Sequence, residues 1–389
     1  MRSPSRRRGR ASPIRRSGRS RRARRCRPPR RPGRSRSTSS ISPTRAPIAA
    51  ATPRASASAR TATTRATAAT WAIHRLGRPI RRADRSIRCL RCAPRRRFRS
   101  IVKPQRLRPG DRIALVAPAS PLDADGIERA CANVRALGFE PVLGAHARSS
   151  AAYLAGNDDA RAADINAALT DPAIRGIFAL RGGYGTMRLL ERLDYAALAR
   201  DPKVLLGYSD LTAPLNAFAQ RSGVVTFHGP VASASMSEAA RERLLRALSS
   251  LEPFEPLRAN ATALVGGRAR GPIRGGNLSL AAHLCGTPFA IATRGAILAL
   301  EDVNEAPYRI DRLLTQLRLA GAFDGASGVA LGDLEHLDVA AERMGGLGLP
   351  VACGLPFGHI DEQWLLPIGL EAELDADSGE LRFAEPAVS

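Results

Sequence analysis

Three apolar runs of this chain each stop at a residue whose side chain can do chemistry. Ser209 follows the run in "KVLLGYSD", Glu301 ends the run in "ILALED", and His359 comes directly after Gly358 in "LPFGHID". A serine hydroxyl is a poor nucleophile until a base takes its proton, and that base works best when a carboxylate fixes its tautomer. A serine, an acid and a histidine at three strand ends supply those roles. The residue types alone leave other readings open. Ser209 precedes a helical pattern, so it or Asp210 can simply cap that helix. The pentad G-Y-S-D-L also lacks the second glycine of a nucleophile elbow. His228, in "TFHGP", is a second candidate base, and Glu305, Arg309 and Asp311 read equally well as a solvated face or a helix cap.

A further loop, "LRGGYGTMRLL", adds N–H donors. A strand that opens into Arg181, Gly182 and Gly183 exposes backbone N–H groups just before a helical pattern. Such a nest holds an oxyanion, a carboxylate or a phosphate. The N–H of Asp210 would lie near the serine hydroxyl and add to an oxyanion hole. The loop is neither a Walker A sequence nor a GxGxxG, so nucleotide binding has little support, and an ordinary turn is the plain alternative. The body cysteines, Cys131, Cys285 and Cys353, form no CxxC pair and no histidines cluster with them. No metal and no cofactor are expected, and no disulfide framework.

The elements that must position these residues alternate. "DRIALVAPAS", "FEPVLG", "GIFALRGG" and "KVLLGYSD" read as buried strands, and "DGIERACANVRALG", "DDARAADINAALTDPAIR" and "YGTMRLLERLDYAALAR" as the helices between them. That alternation predicts a largely parallel α/β sheet with its working loops beyond the C-terminal strand ends. After Gly229-Pro230 the pattern loosens into a helix and a polar connection. From about Ala263 come many short strands with glycine punctuation and only two clear helices. The expected organisation is an α/β domain over 106–235, a linker region over 236–262 and a smaller β-rich domain over 263–385.

Charge is confined to one end. The chain of 389 residues carries a net charge of +25. Residues 1–100 hold 32 arginines and one acidic residue, Asp84, so the remainder is mildly acidic with a net charge of −6. An argument from high pI to nucleic-acid binding therefore applies to the basic segment alone. That segment is rich in Arg, Ser and Pro with almost no apolar periodicity, so disorder is the expectation. It reads as an upstream extension without a physical role, as a polycationic arm binding nucleic acid or anionic lipid nonspecifically, or as a transit-like segment. No apolar run approaches the length of a membrane span, and a cytoplasmic soluble protein is expected.

The motifs "RGGYGTMRLL", "LLGYSDLTAPLNAF", "TFHGP", "GGNLSLAAHLCGTPF", "LALEDVNEAPYRIDRLLTQLRLAG" and "GLPFGHIDEQWLLPIG" resemble, in that order, the successive motifs of the LD-carboxypeptidases, or muramoyltetrapeptide carboxypeptidases. The resemblance runs from about Arg106 to near Phe383 and leaves the basic segment without a counterpart. It implies a Rossmann-like α/β domain with a smaller β-rich domain and a site in the cleft between them. It also implies a Ser209–Glu301–His359 triad, with an oxyanion hole from Gly182 or Gly183 and Asp210. The implied substrate is a murein tetrapeptide that loses its terminal D-alanine, with Arg181 or Arg309 as partner for the free carboxylate. A homodimer is implied as well. The same fold also serves microcin-immunity hydrolases that cleave a peptide-nucleotide amide; that reading calls for an aromatic platform, and Trp364 is the body's one tryptophan. A nonenzymatic nucleic-acid-associated protein acting through the arginine segment is the alternative of another class. Removing residues 1–100 separates the classes: D-alanine release from tetrapeptide is expected to be unchanged, and its loss on truncation would make the basic segment the working part.

Overall fold

A computed structural model describes residues 101–253, 255–259 and 263–389. The basic segment 1–100, and the disorder expected for it, lie outside the described residues.

The first half builds a sheet by repeated strand–helix steps. β1 (Arg112–Val116), α1 (Ala124–Ala136), β2 (Glu140–Leu143), α2 (Asp158–Thr170), β3 (Ile174–Ala179), α3 (Tyr195–Arg200), β4 (Val204–Gly207), α4 (Thr212–Arg221) and β5 (Thr226–His228) follow one another along the chain. α1 and α2 start where Asp123 and Asn157 accept from the N–H groups of Gly126 and Ala160, each satisfying an otherwise orphaned donor. All pairings among β1–β5 are parallel, in the order β5-β4-β3-β1-β2. Strand order reverses between β1 and β3, so the loops leaving their C-terminal ends diverge and leave a crevice.

One sequence expectation differs here. "YGTMRLLERLDYAALAR" is a 3-10 turn at Thr186–Leu189 and then the short α3. The side chain of Asn166 breaks the run, donating to Arg192 O (2.8 Å) and accepting from Asp194 N (2.9 Å). Asp194 then caps α3 through Ala197 N.

α5 (Glu238–Ser249) leads to the second sheet. Its strands are β6 (Leu257–Arg258), β7 (Arg268–Asn277), β8 (Ile297–Asp302), β9 (Gly328–Leu334), β10 (Val351–Ala352), β12 (Glu371–Asp375) and β13 (Glu380–Arg382), with α6 (Leu278–His283), α7 (Pro307–Leu319) and α8 (Leu337–Met344) among them. The order is β10-β9-β8-β7-β12-β13-β6: parallel from β7 to β10, antiparallel beyond. The mixed α/β architecture with a second, β-rich region is as expected. α8 was not legible as a helix because its eight residues are bracketed by a loop and by Gly345-Gly346. β11 (Leu366–Ile368) returns to the first sheet and pairs antiparallel with β5, Leu366 opposite His228.

A buried polar seam joins the two sheets. Asn216, on α4 and 0% exposed, donates from Nδ2 to Gly275 O (2.7 Å) and accepts from Gly275 N (3.0 Å), pairing with β7 as another strand would. One turn earlier Thr212 Oγ1 accepts from Asn277 N at 2.9 Å. β7 in turn holds β8 in register, Gly276 opposite Leu300 and Asn277 opposite Glu301. The helix that follows Ser209 is thus tied to the strand beside Glu301. Replacing Asn216 with Ala leaves the Gly275 N–H and C=O unpaired in a dry site. The expected cost is about 2–4 kcal/mol of unfolding free energy, read as a lower urea midpoint at unchanged m-value; a change below about 0.5 kcal/mol, the usual range for an inconsequential surface change, would show that the seam does not hold the sheets.

Candidate active site

Ser209 sits at a sharp corner. β4 ends at Gly207, where a Cβ would come within 2.7 Å of Leu211 Cγ and 3.2 Å of Ala179 Cβ, so only glycine lets the chain turn this tightly. Ser209 then adopts φ +61°, a left-handed conformation that costs a non-glycine residue about 1–3 kcal/mol. It opens a 3-10 turn (Ser209–Leu211) that runs into α4. Neither this turn nor α4 has a side-chain cap, so the capping alternative for Ser209 and Asp210 falls. Half-buried at a strained strand-to-helix corner, Ser209 has the backbone of a nucleophile elbow without its second glycine.

Asp210 has a different task. Its carboxylate is buried and accepts from Thr186 N at 2.8 Å, while the Thr186 hydroxyl donates back to Asp210 O. These bonds clamp the Ser209 corner to the loop after β3. Burial raises the Asp210 pKa against the opposing bonds from Thr186. The loop itself lies against the serine: a Cβ on Gly182 would meet Ser209 Cβ at 3.1 Å and Oγ at 3.4 Å. Gly183 has φ +117°, and a Cβ there would fall 2.3 Å from Ser120 Oγ. Ser120, from the loop after β1, donates from its N–H to Gly182 O (3.4 Å) and accepts from Tyr184 N (3.3 Å) at Oγ. Arg161 closes the back of this loop, its guanidinium bonded to Pro118 O and, at 2.6 Å, to Asp158.

Glu301 and His359 meet as a pair. All six residues of β8 are buried, and Glu301 is 0% exposed. Its Oε2 lies 2.7 Å from His359 Nδ1. Gly358 makes the approach feasible: its φ is +112°, and a Cβ there would lie 2.9 Å from both Glu301 Cβ and Oε2. Burial by itself would raise the Glu301 pKa, yet the imidazoles of His228 and His359 outweigh it and hold the carboxyl down at about 2. For His359 burial disfavours the charged form, but the bond and charge of Glu301, with Asp302 and Asp333 behind, leave its pKa above the ordinary 6.5. The Tyr208 ring, next to Ser209 in sequence, packs 4.8 Å from the His359 ring.

The arginines are less committed. Arg181 is exposed and donates to Pro121 O at 3.2 Å. Arg309, exposed at the start of α7, contacts Glu305 at 3.4 Å and the Tyr308 hydroxyl at 3.3 Å. Sequence reasoning did not pick out Ser120, Arg161 or Thr186. The one available signal was the Pro/Ser punctuation of "VAPASP" at the end of β1, which a switch-point argument marks as a site loop. Among the described residues no cluster of His, Cys, Asp and Glu could hold a metal ion, and no helix is long and apolar enough to cross a membrane.

Comparison with known proteins gives the family. A Streptomyces coelicolor protein is 42% identical over 306 residues, 75% of this chain and 99% of its own. The murein tetrapeptide carboxypeptidase of Pseudomonas aeruginosa is 35% identical over 289 residues, 68% of this chain and 94% of its own. Among solved structures, the Escherichia coli microcin C7 self-immunity protein MccF is similar with a TM-score of 0.67 at 25% identity, over 74% of this chain and 100% of its own. Residues 113–229 match the LD-carboxypeptidase N-terminal domain and residues 270–374 the LD-carboxypeptidase C-terminal domain. The chain belongs to the LD-carboxypeptidase family.

Proposed function

We propose that the chain is a serine-type LD-carboxypeptidase that releases the terminal D-alanine of murein tetrapeptides in peptidoglycan recycling. The observation that carries the reading is the pairing of buried Glu301 with half-buried His359 at 2.7 Å, with the Ser209 corner packed beside it through Tyr208. Glu301 accepts the Nδ1 proton of His359, which leaves Nε2 as the basic nitrogen. His359 takes the Ser209 proton as Oγ attacks the carbonyl carbon of the L,D-peptide bond. The oxyanion that forms is met by N–H groups of Gly182 or Gly183 and of Asp210. The imidazolium then protonates the departing D-alanine amine, and water, deprotonated by His359, cleaves the acyl-enzyme. Arg181 or Arg309 pairs with the substrate's free carboxylate. Family membership supports a cytoplasmic homodimer.

A second reading has one observation in its favour, the likeness to the microcin self-immunity protein. It needs an aromatic face for a nucleobase, and Trp364 is a poor one: its ring packs on the core and takes the Arg243 guanidinium at 5.1 Å. Cleavage of a peptide-nucleotide amide with no D-alanine release from tetrapeptide would favour that reading.

Two measurements test the peptidase. Ser209→Ala is expected to lower D-alanine release by at least about 10³-fold, and Glu301→Gln by a similar factor; an active S209A enzyme removes the mechanism. The free enzyme's base must be neutral, and the His359 pKa is raised, so its neutral fraction falls as pH drops through a value above 6.5. The acid limb of kcat/KM is therefore expected above pH 6.5. A midpoint well below that value would assign the base elsewhere.

A further inference from the structure

Glu301 presents two oxygens, and the triad uses one. Oε1 has no hydrogen-bond partner among the described residues, although the side chain is fully buried. A dry carboxylate oxygen left unpaired is costly and leaves the carboxylate plane free to turn. Facing it is His228, the last residue of β5, also 0% exposed, with both ring nitrogens lacking a hydrogen bond. His228 Nε2 lies 3.6 Å from Glu301 Oε1. The ring is held edge-on to Tyr208, centroids 6.1 Å apart and planes at 85°. Gly276, at φ +131°, keeps the space open: a Cβ there would come within 2.8 Å of His228 Cδ2 and 3.1 Å of Nε2.

We propose that His228 is a positioning residue for the triad acid, donating from Nε2 to Glu301 Oε1 so that Oε2 is presented squarely to His359. At 3.6 Å the contact is longer than a hydrogen bond, and catalytic hydrogen bonds are often that loose before substrate binds. His228 stands on the first sheet and Glu301 on the second, so the bond makes the orientation of the acid depend on how the two sheets meet. The charged or titratable groups facing Glu301 are then His359 from the loop before β11, His228 from β5, Tyr208 from the loop after β4 and Asp333 from β9. Without the second donor the Glu301 charge is left to His359, whose proton it holds more firmly.

This inference rests on the triad reading, which S209A tests by itself. His228→Phe keeps ring volume and removes both nitrogens. Its expected effect is a kcat lower by about 10–100-fold, the scale of losing one oriented hydrogen bond, with KM within about twofold and the acid limb of kcat/KM moved up by about 0.5–1 pH unit. His228→Gln, whose amide nitrogen reaches the place of Nε2, is expected to recover most of the rate and the wild-type limb. In the wild-type protein, ¹⁵N-histidine NMR is expected to find His228 as the Nε2–H tautomer, with that resonance shifting in E301Q. An Nδ1–H tautomer, an unmoved pH profile in H228F, or H228Q no better than H228F overturns the proposal. The tautomer decides it even if H228F does not fold, and it needs no turnover.

Discussion

The arrangement depends on a carboxylate kept charged where water does not reach it. Glu301 is the penultimate residue of β8, a strand buried along its whole length, and burial there penalises ionisation. Charge is retained because imidazoles lie at hand from two directions, His359 by hydrogen bond at 2.7 Å and His228 at 3.6 Å. Much nearby structure follows from keeping that pocket dry and close. A Cβ at Gly358 would strike the Glu301 side chain, and one at Gly276 would strike Thr212 Oγ1 and the His228 ring. An ionised acid at Nδ1 favours the Nδ1–H tautomer of His359 and leaves Nε2 as its basic nitrogen.

The serine side is organised by a different constraint, a strained corner that must be held. A residue at φ +61° keeps that conformation only where its surroundings over-determine it. Here the bonds between Asp210 and Thr186 pull the corner onto the loop after β3; Ser120, from the loop after β1, supports that loop, and Arg161 of α2 holds the β1 loop through Pro118 O. The Gly182–Gly183 loop and the Ser209 corner are thus parts of one rigid assembly, the preorganisation that the proposed oxyanion hole calls for. Glu301 and His359 arrive on separate segments. Thr212 and Asn216, within two turns of Ser209, lock α4 onto β7 and so bring β8 and Glu301 to it. The family's division into two domain matches corresponds to these two constructions.

The sequence by itself determined the types and their local settings. Apolar runs punctuated by glycine made β1, β3, β4 and β8 legible, since burial of a strand needs nothing beyond its own residues. Ser209 and Glu301 were legible as polar residues closing apolar runs and His359 as a loop residue between two apolar segments, and the ordered motifs made the family legible. Local sequence left Ser209 open between cap and nucleophile, because both roles need the same residue before the same helix. Tertiary structure decided what depends on partners distant in the chain. Asp210 looked like a cap and became a clamp because Thr186 stands opposite. β11 joined the first sheet because β5 offered it an open edge. His228, weighed only as a rival base, came to face the acid because the seam through Asn216 sets the two sheets together. Pattern along the chain carries burial and turn chemistry; the pairing of polar groups distant along the chain is an energetic choice made only once the elements have met.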